Sequence, residues 1–441
     1  MHDLDALRAG ALAGTRRLRL SCGLHTFPTD IFTLADTLEV LDLSGNALSS
    51  LPDDLPRLHR LRILFCSDNQ FTELPAVLGR CPQLSMVGFK ANRIHTVTAQ
   101  ALPAALRWLI LTDNQLETLP AELGHCQQLQ KLMLAGNRLR SLPSLAACTR
   151  LELLRIAANQ LEALPDGLLQ LPRLTWLAFA GNPLTQAAES RTVQQSPLRA
   201  IPWSRLERQH TLGEGASGVI HQALWDDDGH ARAVAVKLFK GAVTSDGRPD
   251  SEMAACLRAG SHPSLIDIHG RVAQHPEGAQ GLVMALIRPD YSILAGPPSL
   301  ASCTRDVYED GVRLDAAATL RMASDMASVA AQLHRQGLMH GDLYAHNILR
   351  HASGHALLGD FGAASLLDGL PKAQALAVQR LEVRAWACLL EELLAHSVPA
   401  SFAPGVLEGL SRLQMQCAQA APDRRPGFDE VLQRLSSPVP A

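Results

Sequence analysis

Three short stretches of this chain hold residues whose types and spacing could do chemistry. "GLMHGDLYAHNILR" (Gly337–Arg350) sets a carboxylate, Asp342, five residues before an amide, Asn347, and "LLGDFGAAS" adds a second carboxylate, Asp360. "LGEGASGVI" holds Gly213, Gly215 and Gly218 in the pattern GxGxxG, followed by Val219. Glycines let a backbone lie close over phosphates, and dinucleotide-binding folds use similar spacing, so this pattern alone does not choose a reaction. The nine cysteines form no CxxC pair, which argues against a zinc framework or a secreted disulfide scaffold.

The elements around these residues narrow the choice. "AVAVKLF" puts Lys237 on a predicted strand about twenty residues beyond the glycines, where a dinucleotide fold would want an acidic residue for the ribose. "DSEMAACLRAGSHPSLI" reads as a short helix containing Glu252, followed by His262-Pro263, and "GLVMALI" as a buried strand. The helical periodicity of "AATLRMASDMASVAAQLHRQG" leads directly into the Asp342 stretch, and "APDRRPGFDEVLQRL" closes the series with Arg425-Pro426. From about Trp203 to Leu435 the chain therefore resembles the protein kinases, with glycine loop, lysine, glutamate, His-x-Asp loop, Asp-Phe-Gly and Arg-Pro in order.

That resemblance implies a bilobal α+β domain over 206–436 that uses ATP and Mg²⁺. It implies that Lys237, oriented by Glu252, holds the phosphates beneath Gly213, Gly215 and Gly218. Asn347 and Asp360 would hold the metal, and Asp342 would take the proton of the acceptor hydroxyl. Val219, Ala235, Met284 as gatekeeper, Leu286 and Leu349 would surround the adenine, with backbone groups of Ala285 to Ile287 as hinge. "EVRAWACLLEELL" corresponds to a large-lobe helix that usually begins Asp-x-Trp; Glu382 stands in for that Asp.

The pattern also departs from the family. Tyr344 stands where serine/threonine kinases keep a lysine on the γ-phosphate, and His346 where tyrosine kinases keep an arginine. His346 is expected either to donate to a phosphate or to sit in solvent. Gly341 replaces the arginine that reads a phosphorylated activation segment. That segment is short, with 22 positions from Asp360 to Glu382, and it contains Ser365 but no Thr, Tyr or Ala-Pro-Glu. The expectation is a kinase not switched by phosphorylation there. Two alternatives remain open: a small-molecule kinase of aminoglycoside or choline type, and a catalytically weak scaffold.

The amino-terminal half is a repeat. "LEVLDLSGNAL", "LRILFCSDNQF" and five further segments fit LxxLxLxxNxL, with Asn46, Asn69, Asn92, Asn114, Asn137, Asn159 and Asn182 spaced 22 or 23 apart. From about residue 15 to 185 the chain resembles a leucine-rich repeat α/β solenoid, in which stacked neighbours bury one continuous core and the asparagines ladder across it. Cys81, Cys126 and Cys148 take a position that is Leu in other repeats and read as core. The variable strand positions Ile63, Phe65, Met86, Trp108, Ile110, Met133 and Trp176 are expected to form an apolar concave face for a protein substrate or regulator; the alternative is an intramolecular patch covered by the kinase-like half or by another copy.

The boundaries expected are a multidomain chain with repeats over 1–185, a polar connector over 186–205, the kinase-like domain over 206–436 and a tail over 437–441. With 47% hydrophobic and 19% charged residues and a net charge of −3, nothing points to nucleic acid or an anionic membrane. No run suits a membrane span, the start "MHDLDALRAG" lacks a signal-peptide order, and the cysteine usage suits a reducing cytoplasm. Scarce Lys beside abundant Arg, Ala and Leu is the composition expected of a GC-rich, bacterial genome.

Overall fold

Repeats with seven matching strands account for most of the first of two units, Met1–Leu174 and Thr175–Ala441, into which the computed structural model divides. The structure describes residues 3–215, 217–240, 243–244 and 246–436, so the tail expected at 437–441 lies outside the described residues.

In the first unit a short helix, α1 (Leu4–Arg8), precedes β1 (Arg17–Arg19), β2 (Val40–Asp42), β3 (Ile63–Phe65), β4 (Met86–Gly88), β5 (Trp108–Ile110), β6 (Lys131–Met133) and β7 (Leu153–Arg155). The strands pair in parallel and in chain order. Their central residues, among them Leu41, Leu64, Leu109, Leu132 and Leu154, are buried, because parallel neighbours put one side chain of each repeat into a shared core. The asparagines form the expected ladder. The Asn69 amide donates to the Leu43 carbonyl at 2.9 Å and its oxygen accepts the Leu48 N–H at 2.9 Å; Asn114 does the same with Phe89 and Ile94. Each bond satisfies a backbone group that the turn out of the strand would otherwise strand in the core. Cys81 and Cys148 are buried, and burial pushes both thiols up to about 11, as core residues rather than reactive ones.

The concave face is less open than the sequence suggests. Phe65, Trp108, Ile110 and Met133 are half-buried, but Met86 is only 3% exposed and Ile63 only 9%. In-register pairing sets Met86 between Ile63 and Trp108, and large side chains one strand apart cover one another. The Lys131 ammonium lies 4.3 Å from the centre of the Trp108 ring, a cation–π contact.

The second unit opens on the strand of the last repeat, β8 (Trp176–Ala178). The residues read as a polar connector are folded. Pro183 starts α2 (Pro183–Gln195), where its missing N–H and fixed φ suit a first helical turn, and β9 (Arg199–Pro202) follows. Then come β10 (Leu206–Glu214), β11 (Gly218–Asp227), β12 (His230–Phe239), α3 (Pro249–Ala259), β13 (Ile268–Ala273) and β14 (Gly281–Ala285). They form a six-stranded sheet in the order β10-β11-β12-β14-β13-β9, with β9 parallel to β13 at the edge. Its core includes Ile201, Leu206, Trp225, Val234, Val236 and Val283.

Beyond β15 (Tyr291–Ile293) the chain turns helical. Asp315 caps α4 (Ala316–Arg335) by accepting the Ala318 N–H at 2.7 Å, and Thr319, Met322, Ala323, Met326 and Ala330 face the core at helical spacing. Four short strands then frame the catalytic stretches: β16 (Leu338–Met339), β17 (Ile348–His351), β18 (Ala356–Leu358) and β19 (Ser365–Leu366). Helices α5 (Lys372–Ala395), α6 (Val406–Cys417) and α7 (Phe428–Ser436) complete this lobe, and the Trp386 indole N–H pins α5 to the Ala323 carbonyl of α4 at 2.9 Å. Among the described residues no helix is long and apolar enough to cross a membrane.

Candidate active site

Glycine geometry separates packing from function in the first motif. Gly213 lies near the end of β10, opposite Ile220, and Gly215 in the turn to β11, and a Cβ on either would meet nothing within 4 Å; Gly218 cannot carry one, because it would sit 2.4 Å from the Leu238 carbonyl of β12. Gly218 is thus required by the hairpin, and the other two are not required by the fold. Antiparallel register then sets Val219 of β11 opposite Leu238, Ala235 of β12 opposite Met284 of β14, and Lys237 opposite Leu282. Leu286 follows β14 directly, and Leu349 lies on β17.

The Lys237 ammonium forms an ion pair with Glu252 of α3, both largely buried. Burial opposes the lysine's charge, but the carboxylates of Glu252 and Asp360 outweigh it and hold its pKa above the ordinary value. Burial likewise pushes the Glu252 carboxyl up against the pull of Lys237. Gly362 allows these groups to converge: a Cβ there would lie 3.1 Å from Asp360 Oδ1 and 3.9 Å from Glu252 Oε2.

The loop from His340 to Asn347 is organised by side-chain and backbone hydrogen bonds. The Asn347 amide donates to Asp342 Oδ2 at 2.9 Å and to the Asp342 carbonyl at 3.0 Å, and the Gly359 N–H donates to the Asn347 carbonyl at 2.9 Å. His340 is fully buried; its Nδ1 accepts the Asp342 N–H, so its Nε2–H donates to the Gly359 carbonyl at 2.9 Å. One histidine therefore ties the Asp342 loop to the residue before Asp360, which takes a left-handed φ of 52°. With its NH₂ directed at Asp342, Asn347 can offer only its side-chain oxygen to a cation. Together with the Asp360 carboxylate it makes an all-oxygen donor set, the kind a hard divalent ion takes.

Glu382, which stands where the family pattern has Asp, is tied to the loop that carries Asp342. From α5 it accepts the Gly341 N–H at 2.9 Å and a bond from His334 at 2.8 Å. Burial alone would raise its carboxyl, but the His334 bond leads a set of interactions that hold it below the usual value.

Trp176 departs from the open face expected of it and follows the intramolecular alternative. Expected on an open concave face, it is 1% exposed, with its ring stacked on Tyr344 at 4.1 Å and 10° and its indole N–H donating to the Leu343 carbonyl at 3.2 Å. This also accounts for Tyr344, which is 4% exposed: it packs against a tryptophan where the family uses a lysine. Gly341 has a matching cause. Its φ is +75°, and a Cβ would lie 2.6 Å from the Leu177 and Ala363 carbonyls, so no side chain fits. The Phe179 N–H donates to Ser365 Oγ at 3.1 Å, and Ser365 is 1% exposed, which leaves no room for a phosphate on it.

His346 fits neither expected role. Its Nδ1 pairs with Asp306 at 2.8 Å and its backbone N–H donates to the same carboxylate at 2.9 Å. Burial opposes its charge, but the Asp306 bond and the carboxylates of Asp342 and Asp360 prevail and raise its pKa. A histidine pKa raised by folding contributes stability that is complete below about 6.5 and is lost as pH rises through the folded value. The stability gap between wild type and His346→Gln, measured by urea unfolding, is therefore widest near about pH 6 and narrows toward about pH 9. A gap that stays constant would show that His346 is neutral in the pair. No motif marked Asp306 in "CTRDVYED", and it could not have been found from sequence.

Comparison with known proteins agrees with this geometry. Residues 206–387 match the family model for protein tyrosine and serine/threonine kinases, and residues 37–58 match that for the leucine-rich repeat. The chain is 25% identical over 54% of its length to serine/threonine-protein kinase PkaB of Streptomyces coelicolor, and 25% identical over 53% to serine/threonine-protein kinase TNNI3K of Mus musculus. It is 23% identical over 40% to receptor tyrosine-protein kinase erbB-4 of Homo sapiens. These matches cover 64%, 31% and 12% of the three relatives.

Proposed function

We propose that the protein kinase domain this chain carries, beside its leucine-rich repeat region, transfers the γ-phosphate of ATP to a serine or threonine of a protein recruited through the repeats. The observation that supports this best is that Lys237 pairs with Glu252, the Asn347 amide donates to Asp342, and Asp360 on the adjoining loop accepts the Gly362 N–H at 3.1 Å.

Magnesium-bound ATP would supply the transferable phosphoryl group with part of its charge neutralised. Lys237 would hold the α and β phosphates under the glycine turn, with Val219, Ala235, Met284, Leu286 and Leu349 around the adenine. Asn347 and Asp360 would ligate the cation through oxygen. Asp342 would orient the acceptor hydroxyl and take its proton as the new oxygen–phosphorus bond forms and the bond to ADP breaks. With Tyr344 packed on Trp176 and His346 held by Asp306, neither supplies the cationic γ-phosphate contact of its family counterpart, so transfer should be slow rather than absent. Phe65, Trp108, Ile110 and Met133 remain as recruiting residues on the repeats.

A small-molecule acceptor is the second reading, favoured by one observation: only residues 360–371 precede α5, too few for a peptide-docking segment. Incubation with γ-labelled ATP, Mg²⁺ and generic protein substrates separates the readings. Label is expected on protein and falls about 10²-fold in Lys237→Ala. Label appearing only in a small soluble product supports the second reading, and nucleotide binding without turnover would leave a scaffold.

A further inference from the structure

Kinase chemistry requires the β-strand lysine and its helix glutamate to stay paired, and many kinases control that pairing through a phosphorylated activation segment. Here that device is missing: Ser365 is buried and Gly341 has no side chain to read a phosphate. Something else has to hold α3 in place. Ser251, Glu252, Met253, Ala254 and Ala255 are all buried in succession, so α3 is covered on every side over this turn.

Part of that cover is α2. The Glu189 carboxylate accepts the Ser251 hydroxyl at 2.8 Å, one residue from Glu252, and its other oxygen accepts the Gly181 N–H at 2.9 Å, three residues beyond the end of β8. The start of α2 is also fixed: a Cβ on Gly369, in the segment before α5, would lie 1.9 Å from the Leu184 carbonyl, so the two backbones are in direct contact. At the far end of α3 the Arg258 guanidinium binds both oxygens of Asp368, at 2.7 and 2.6 Å, and the Gln336 carbonyl at 2.7 Å. Trp176 meanwhile holds the catalytic loop through Leu343 and Tyr344.

We propose that β8 and α2 form a built-in activating brace, in which Glu189 positions α3 to keep Glu252 on Lys237 while Trp176 positions the catalytic loop. This rests on the kinase reading above. Glu189 touches no reacting atom; it is a positioning residue, acting through Ser251. Its loss should loosen α3 and weaken nucleotide binding, whereas glutamine keeps both bonds, accepting from Gly181 and donating to the Ser251 hydroxyl.

The test compares Glu189→Ala, Glu189→Gln and Ser251→Ala in the full chain. In Glu189→Ala the KM for ATP is expected to rise about tenfold, and amide exchange at Glu252 to Ala255, measured without nucleotide, to accelerate by about the same factor. Ser251→Ala should shift both in the same direction, and Glu189→Gln should restore both. Wild-type KM and exchange in Glu189→Ala, or a Glu189→Gln variant equally impaired, overturns the brace. Faster transfer in Glu189→Ala also overturns it and would make the contact inhibitory. If wild type transfers no label, the kinase reading fails, while the exchange measurement still judges the brace.

Discussion

Asp342→Asn lowers phosphoryl transfer about 10³-fold while leaving nucleotide affinity within about twofold. The two halves of this expectation come from one hydrogen bond. The Asn347 amide donates to Asp342 Oδ2 at 2.9 Å, which fixes the carboxylate that the proposed reaction needs as proton acceptor. Asparagine is nearly isosteric and can still offer an oxygen to Asn347, so the loop and the lysine–glutamate pair stay in place, but no basic oxygen remains for the acceptor proton. Single-turnover transfer beside equilibrium binding of a fluorescent nucleotide separates the effects. Transfer near the wild-type rate would remove Asp342 from the proton-accepting role, and a parallel loss of binding would make it structural.

The second large effect concerns stability. Gly341→Ala should cost the Thr175–Ala441 unit about 3–5 kcal/mol, the sum of left-handed strain and overpacking against two carbonyls. The contacts are backbone atoms at 2.6 Å, which cannot swing aside as a flexible side chain would. Gly405→Ala is the control: its φ is +81°, but a Cβ there meets nothing within 4 Å, so only the strain of about 1–2 kcal/mol applies. Thermal and urea unfolding of the two variants measure the difference. Equal losses would show that the loop can relax away from Leu177 and Ala363, and the close packing would then not explain why this position lacks the family's arginine.

Sequence carried the positions that act over short chain distances or by fixed spacing. Lys237, Asp342, Asn347 and Asp360 stood out because their neighbours along the chain define them, and the repeat asparagines because their spacing recurs. Glu382 was recognisable as a replaced Asp, but its bond to the Gly341 N–H, 41 residues back in the chain, was not. The departures were visible but their causes were not. Trp176 occupies a variable strand position, and repeat periodicity treats every such position alike. Nothing in its surroundings signals a ring stacked on Tyr344 from a distant part of the chain. Glu189 and Asp306 lie in stretches without motif or period, and their partners are fixed only by the tertiary fold.

Solenoids change length by gaining and losing repeats, since each unit needs only its neighbours. The start of the second unit at Thr175 limits that freedom here. Duplication or deletion upstream of it alters the length and surface chemistry of the repeat region and leaves Trp176, Phe179 and Glu189 untouched. The same event across the last repeat would remove the tryptophan under Tyr344 and the N–H that Ser365 accepts. Copying of repeats is thus free to vary the upstream solenoid, while the terminal repeat is inherited with the kinase domain as though it were part of it.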